Sequence, residues 1–137
     1  MTTARVQAFF KEYAAAFSSR SVELIQKLWA FPAFMSFGGR QAVLDSEAFR
    51  SNTEKLCAFY EGQGVVRAEK QVLELTRLTD TTATVRTADT LFDAQGGIVA
   101  AWEHVYLLSD TPDGIRTAAA MPDNEHRAWR ERGTPLG

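Results

Sequence analysis

The chain has 137 residues, 45% of them hydrophobic and 23% charged, with a formal net charge of −2 and a pI near 5.7. That length fits one domain and buries roughly two-thirds of the unfolded surface without needing a staple. The charge balance argues against a general electrostatic grip on nucleic acid or anionic lipid. The single cysteine, Cys57, rules out an intrachain disulfide. No apolar run approaches the ~18 residues of a membrane span, and Met1 to Gln7 lack the apolar stretch of a signal peptide. A cytoplasmic protein with no nucleic-acid or membrane partner is therefore expected.

Val6, Phe9, Phe10, Tyr13, Ala14 and Phe17 recur at three- and four-residue spacing and predict an amphipathic helix. Ser18, Ser19 and Ser21 break it, and a serine here can cap a second helix whose apolar face is Val22, Ile25, Leu28 and Trp29. Pro32 ends any helical continuation, because the residue before proline is pushed out of the α region. Residues 31–37 read as a first strand, and Gly38-Gly39 as the turn of a hairpin with 40–44. Asp45 or Ser46 can cap a third helix carrying Phe49, Thr53, Leu56, Phe59 and Tyr60, with Gly62 and Gly64 available to stop it.

From Val65 the pattern changes to long β segments over 65–78, 82–92, 98–108 and 115–121, separated by turn-forming residues at 79–81, 95–97 and 112–114. Residues 1–122 form the expected domain. Residues 123–137, with Arg127, Arg130 and Arg132 around Trp129, are expected to be a loosely ordered C-terminal extension. The order α-α-β-β-α-β-β-β-β defines an α+β fold, with three N-terminal helices packed on one face of a mostly antiparallel sheet.

The opening helix ending Tyr13-Ala14-Ala15-Ala16-Phe17, the helix over 22–29, and the strand Trp102-Glu103-His104-Val105-Tyr106-Leu107-Leu108 followed by Thr111-Pro112-Asp113-Gly114 occur in the order of a known family. Across residues 4–122 the chain resembles the nuclear transport factor 2-like superfamily, which includes SnoaL-like polyketide cyclases and ketosteroid isomerases. The resemblance implies a cone-shaped fold with a strongly curved sheet and a pocket between the helices and the concave face. It also implies a homodimer formed through the outer face of the sheet. Ketosteroid isomerases use a tyrosine late in the first helix and a protonated acid on a late strand as an oxyanion hole, with a separate aspartate moving the proton. Tyr13 and Glu103 match the first two positions. Phe37, beside Ser36, stands where the aspartate would be, so the resemblance implies binding rather than steroid isomerisation.

Read from the residues, Glu103 walled by Val99, Ala101, Val105 and Leu107 would be costly to ionise and could serve as a neutral donor or general acid. Pairing with Arg86 or Arg116, or simple exposure to solvent, are the alternatives. If the loop around Gln95 holds three residues, Glu103 lies opposite Thr87 and Asp89 is its diagonal neighbour on one face. A loop one residue different sends Asp89 to the other face and brings Arg86 inward. His104 alternates with Glu103, so with Trp102 and Tyr106 it forms an aromatic stripe that a second copy would cover. That assignment reverses if Glu103 and His104 exchange faces.

His104 and His126 lack ligand spacing, so no metal and no cofactor is expected. Cys57 reads as core. Gly38-Gly39 and Gly96-Gly97 lack the strand-to-helix setting of a phosphate loop. The leading function is a homodimer binding a small, largely apolar molecule, with Tyr13 and Glu103 orienting it and Trp29, Phe34 and Tyr60 as walls. A cofactor-independent isomerase, cyclase or hydrolase using Glu103 and Asp89 as acid and base is the second reading. An assembly domain with a filled pocket is the third.

Overall fold

Each N-terminal helix starts where the sequence supplies an oxygen to cap it. In this computed structural model, which describes residues 1–136, α1 spans Thr3–Ser18 and Thr2 accepts from the backbone N–H of Arg5. Ser21 caps α2 (Val22–Lys27) through Leu24, and Asp45 caps α3 (Ser46–Gly62) through Ala48 at 2.7 Å. Each bond satisfies a backbone N–H that has no partner within its helix, an effect worth about 1 kcal/mol. Between α2 and α3 lies the hairpin of β1 (Trp29–Phe37) and β2 (Arg40–Leu44). Its turn needs positive φ at both central positions, which Gly38 (54°) and Gly39 (76°) supply without strain.

The long strands β3 (Arg67–Arg77), β4 (Thr82–Phe92), β5 (Ile98–Thr111) and β6 (Gly114–Asp123) pair antiparallel in succession. The hairpin then docks beside β6, with β1 parallel to it, to give one six-stranded sheet ordered β2-β1-β6-β5-β4-β3. The sheet is bent, and its concave face receives the helices. Val6, Phe9, Phe10 and Tyr13 of α1 meet Val85, Tyr106 and Leu108 there in the larger of two core clusters. Among the described residues, no helix is long and apolar enough to cross a membrane.

Trp29, expected on the face of the second helix, opens β1 instead, and two larger differences from the sequence expectation follow. Residues Glu125–Arg132 form a fourth helix, α4, rather than a loose extension, and its Trp129 is fully buried. With Tyr60, Val65, Leu91 and Trp102 it builds the second core cluster. The helix start lacked a sequence signal because Asn124, in the left-handed region at φ 71°, makes no side-chain capping bond and the helix is polar apart from its anchor, whereas Gly133 at φ 85° caps its end.

The second difference is register. At Val99 an extra residue enters β5, so Leu91 pairs with Ala100 and Phe92 with Ile98. Both Val99 and Ala100 are consequently buried, and the alternation beyond them is shifted by one. Glu103 lies opposite Ala88, not Thr87. Trp102, His104 and Tyr106 turn to the concave face, while Glu103 turns to the convex one. Asp93 stabilises the loop behind this bulge, accepting from the backbone N–H groups of Gln95 and Gly97.

Candidate functional site

A cavity of about 550 Å³ lies between the helices and the concave face. Tyr13 and Phe17 of α1, Phe49 and Tyr60 of α3, and Trp29, Trp102 and Tyr106 of the sheet form much of its wall. Exposed Arg40, Lys55 and Glu69 also line it, so the cavity reaches the surface. Both the volume and the aromatic lining fall in the range of small-molecule sites, roughly 300–1,000 Å³.

The polar groups converge on three neighbouring strands. Asp89 of β4 is paired with Lys70 of β3 and with Trp102 of β5, next to His104. A bulge at Leu73 and the one at Val99 bring Lys70, Asp89 and His104 to the same concave face. The Lys70 ammonium lies 2.6 Å from Asp89 Oδ2 and 2.5 Å from the Tyr106 hydroxyl. The Tyr13 ring centre lies 5.0 Å from it, so a π-face also borders the cation. Thr87 donates to Asp89 Oδ1 at 2.7 Å. Burial pushes the Asp89 carboxyl up, but the Lys70 charge and the His104 ring outweigh it and hold the group well below the usual carboxylate range.

Two neighbours compete for His104 Nδ1: Asp89 Oδ2 at 3.1 Å and the Trp102 indole N–H at 2.9 Å. The first needs a proton on Nδ1 and the second needs a lone pair. Placing a lone pair against an ionised carboxylate sets charge against charge, whereas the rival arrangement opposes only two neutral N–H dipoles. A charge-assisted bond is also about twice as strong as a neutral one. The carboxylate therefore decides, and the neutral ring carries its proton on Nδ1. His104 stacks on Tyr106 with ring centres 4.7 Å apart and planes 9° from parallel, which fixes the imidazole plane.

Two further hydrogen-bonded sets complete the wall. The Trp29 indole donates to the Tyr13 hydroxyl at 2.9 Å, and burial pushes the Tyr13 phenol up despite that bond. Tyr60 donates to Glu125 Oε2 at 2.7 Å, and Trp129 donates to the same oxygen at 3.2 Å. Burial, with Glu125 beside it, pushes the Tyr60 phenol well above its ordinary value. Phe37, standing where the resemblance places an aspartate, stacks on His126 at 6.0 Å, and both rings line the cavity.

Of the residues singled out from sequence, Tyr13, Trp29, Tyr60 and Asp89 line the cavity together. Glu103 does not. Its side chain is 48% exposed on the convex face and pairs with Arg86 at 3.0 Å, so the burial behind its expected role as a neutral acid is absent. Arg86 also reaches Asp123 at 3.1 Å. Phe34 likewise points outward, being 37% exposed, while its neighbour Met35 lines the cavity.

Trp102, His104 and Tyr106, expected on an outer interface, line the cavity instead. The bulge at Val99 is the common cause for β5, since one inserted residue exchanges the two faces. Lys70 escaped the sequence reading altogether. The available signal was a lysine in phase with Ala68 and Val72 along an alternating strand. Among the described residues no group of three or more His, Cys, Asp or Glu is placed to hold a metal ion.

A bent sheet closed by N-terminal helices around an open pocket defines the class of cone-shaped, cystatin-like domains. Within that class, the chain belongs to the family described as NTF2-like protein (DUF6841), whose model matches residues 4–125. No curated protein matches the chain. Among solved structures, a cystatin-like domain of unknown function from Nostoc punctiforme is similar at TM-score 0.71 and 15% identity, covering 96% of this chain and 83% of that one. A ketosteroid isomerase-like protein from Erwinia carotovora atroseptica is similar at TM-score 0.65 and 20% identity, covering 87% and 92%. A protein of unknown function from Mycobacterium tuberculosis has TM-score 0.65 and 20% identity, covering 88% and 69%.

Proposed function

We propose that this protein binds one small, largely apolar molecule in the cavity under its helices, as a homodimer. The observation that carries the reading is the open cavity of about 550 Å³ with aromatic walls and polar side chains converging from three neighbouring strands. Such a lining rewards burial of an apolar skeleton, while Lys70, His104 and Tyr13 offer a few directional contacts to a polar substituent. An assembly domain would instead fill the space with its own side chains. Titration with 2-naphthol, an aromatic body carrying one hydroxyl, tests this through the fluorescence of Trp29 and Trp102. One-to-one quenching is expected, and Met35→Trp, which narrows the cavity, should weaken binding while leaving the circular dichroism spectrum intact. Equal quenching in both proteins would refute the cavity as the site.

The dimer reading transfers to other residues than those first expected. Val43, 68% exposed, sits opposite Phe34 in the hairpin, and half-buried Val105 and Leu107 continue this apolar face across the sheet. Covering such a patch favours association. Leu107→Asp is expected to convert a dimer to a monomer in light scattering after size-exclusion chromatography. A variant that elutes unchanged would remove this face from consideration.

A further inference from the structure

We propose that Glu125 makes this cavity a site for an apolar tertiary amine, bound as its ammonium with the N–H on the free Glu125 oxygen. The inference rests on the reading that the cavity takes a small molecule, and it names the charge which that molecule carries. Glu125 opens α4 and is 7% exposed, with its side chain in the cavity wall. Both of its donors, the Tyr60 hydroxyl and the Trp129 indole, go to Oε2. Among the described residues Oε1 has no hydrogen-bond partner, yet it is not sealed in the protein interior. Since the side chain borders the cavity, Oε1 is the oxygen that a ligand there can reach.

Charge decides what that ligand must be. Burial and the Glu125 charge push the Tyr60 phenol well above its ordinary value, so it keeps its proton and stays a neutral donor. The indole is neutral as well. No Lys, Arg or His among the described residues pairs with Glu125. The carboxylate thus has hydrogen bonds but no counter-charge, and the first turn of α4 offsets only part of its cost. Asp89, the other buried carboxylate of the cavity, differs because Lys70 neutralises it. Arg40 and Lys55 stand at the exposed rim, where solvent screens them. A ligand cation would supply the missing partner.

The surroundings favour a substituted ammonium over a primary one. The Phe17 and Phe59 ring centres each lie 6.2 Å from that of Tyr60, and all three rings border the cavity. Aromatic faces attract a cation and pack against its alkyl groups, but they do not replace the acceptors that three N–H groups would need. A tertiary ammonium brings one N–H for one free oxygen. The cavity volume of about 550 Å³ leaves room for an apolar body beside it.

The test compares N,N-dimethyl-2-naphthylmethylamine, a cation at neutral pH, with 2-naphthalenemethanol, its uncharged counterpart, by isothermal titration calorimetry. The wild-type protein is expected to bind the amine at least about 10-fold more tightly, the margin of a hydrogen bond to a charged group. In Glu125→Gln that ratio should fall to near one, and the ratio removes any loosening of α4 that weakens both probes alike. Equal affinities in the wild type, or a preference that survives in Glu125→Gln, would overturn the proposal and leave the cavity reading standing. No binding of either probe at millimolar concentration would overturn both. Tighter binding of 2-naphthylmethylamine, the primary analogue, would overturn the tertiary assignment. Because Glu125→Gln can perturb folding, the contact is also read on the unaltered protein. The Glu125 carboxyl 13C resonance should move further with the amine than with the alcohol. A resonance that moves as far with the alcohol, or with neither probe, would overturn the assignment.

Discussion

Lys70→Met is expected to destabilise the fold by about 3–5 kcal/mol, read as a large fall in the urea midpoint with an unchanged slope. Lys70 and Asp89 are 8% and 3% exposed, and their charged atoms lie 2.6 Å apart. Removing the ammonium leaves a nearly buried carboxylate with only Thr87 and His104 as donors. The penalty comes from that stranded charge rather than from the intrinsic worth of the pair. The double variant Lys70→Met with Asp89→Leu should therefore recover much of the loss, since replacing both members of a buried pair by apolar groups is often neutral.

The same pair sets a pH dependence. Asp89 has a folded-state pKa below its unfolded value. Its contribution is thus fully present above about pH 5 and is lost as pH falls through the unfolded value of about 3.9 towards the folded one. Acid titration of the double variant should lack this component.

Trp129→Ala should cost a similar amount, about 3–5 kcal/mol, by the cavity left where a fully buried indole was. The ring stacks on Tyr60 at 5.7 Å and meets Phe59 edge-on at 4.9 Å, so one substitution strips contacts from two walls of the second core cluster. Glu125 also loses one of its two donors. Glu125 and His126 line the cavity, so loosening α4 should weaken 2-naphthol binding along with stability. A surface tail would give a change within about 0.5 kcal/mol and no effect on binding. Thermal or urea unfolding of the variant separates the two outcomes.

Much of the architecture was legible because it rests on local chemistry. The spacing of Val6, Phe9, Phe10 and Tyr13 marks one helical face, Ser21 and Asp45 cap as their types prefer, and Gly38-Gly39 turns the hairpin. Faces of the long strands were not legible. Alternation along Val99, Ala101, Glu103 and Val105 suits an unbroken strand, but the bulge puts Val99 out of phase with the other three. A bulge one residue wide carries no strong compositional signal, yet it decides whether Glu103 or His104 faces the cavity. Helix α4 was hidden for a related reason: it has no side-chain cap at its N-terminus and no apolar stripe, and it is held by one tertiary anchor, Trp129, and by the left-handed Gly133 at its C-terminus. Tyr13 and Tyr60 were found from sequence because helix periodicity places them whatever the register of β5, while Trp29 reaches the cavity from the start of β1 and not from the helix expected to carry it.

The concave cavity, and not the convex face, is expected to be where this protein meets a small molecule. Methyl resonances of Met35, Leu91 and Ala120, which line the cavity, and of Val43, Val105 and Leu107, on the convex face, can be followed by 1H–13C NMR during titration with 2-naphthol. Shifts confined to Met35, Leu91 and Ala120 are predicted. Shifts confined to Val43, Val105 and Leu107, or none in either set at millimolar ligand, would contradict the claim.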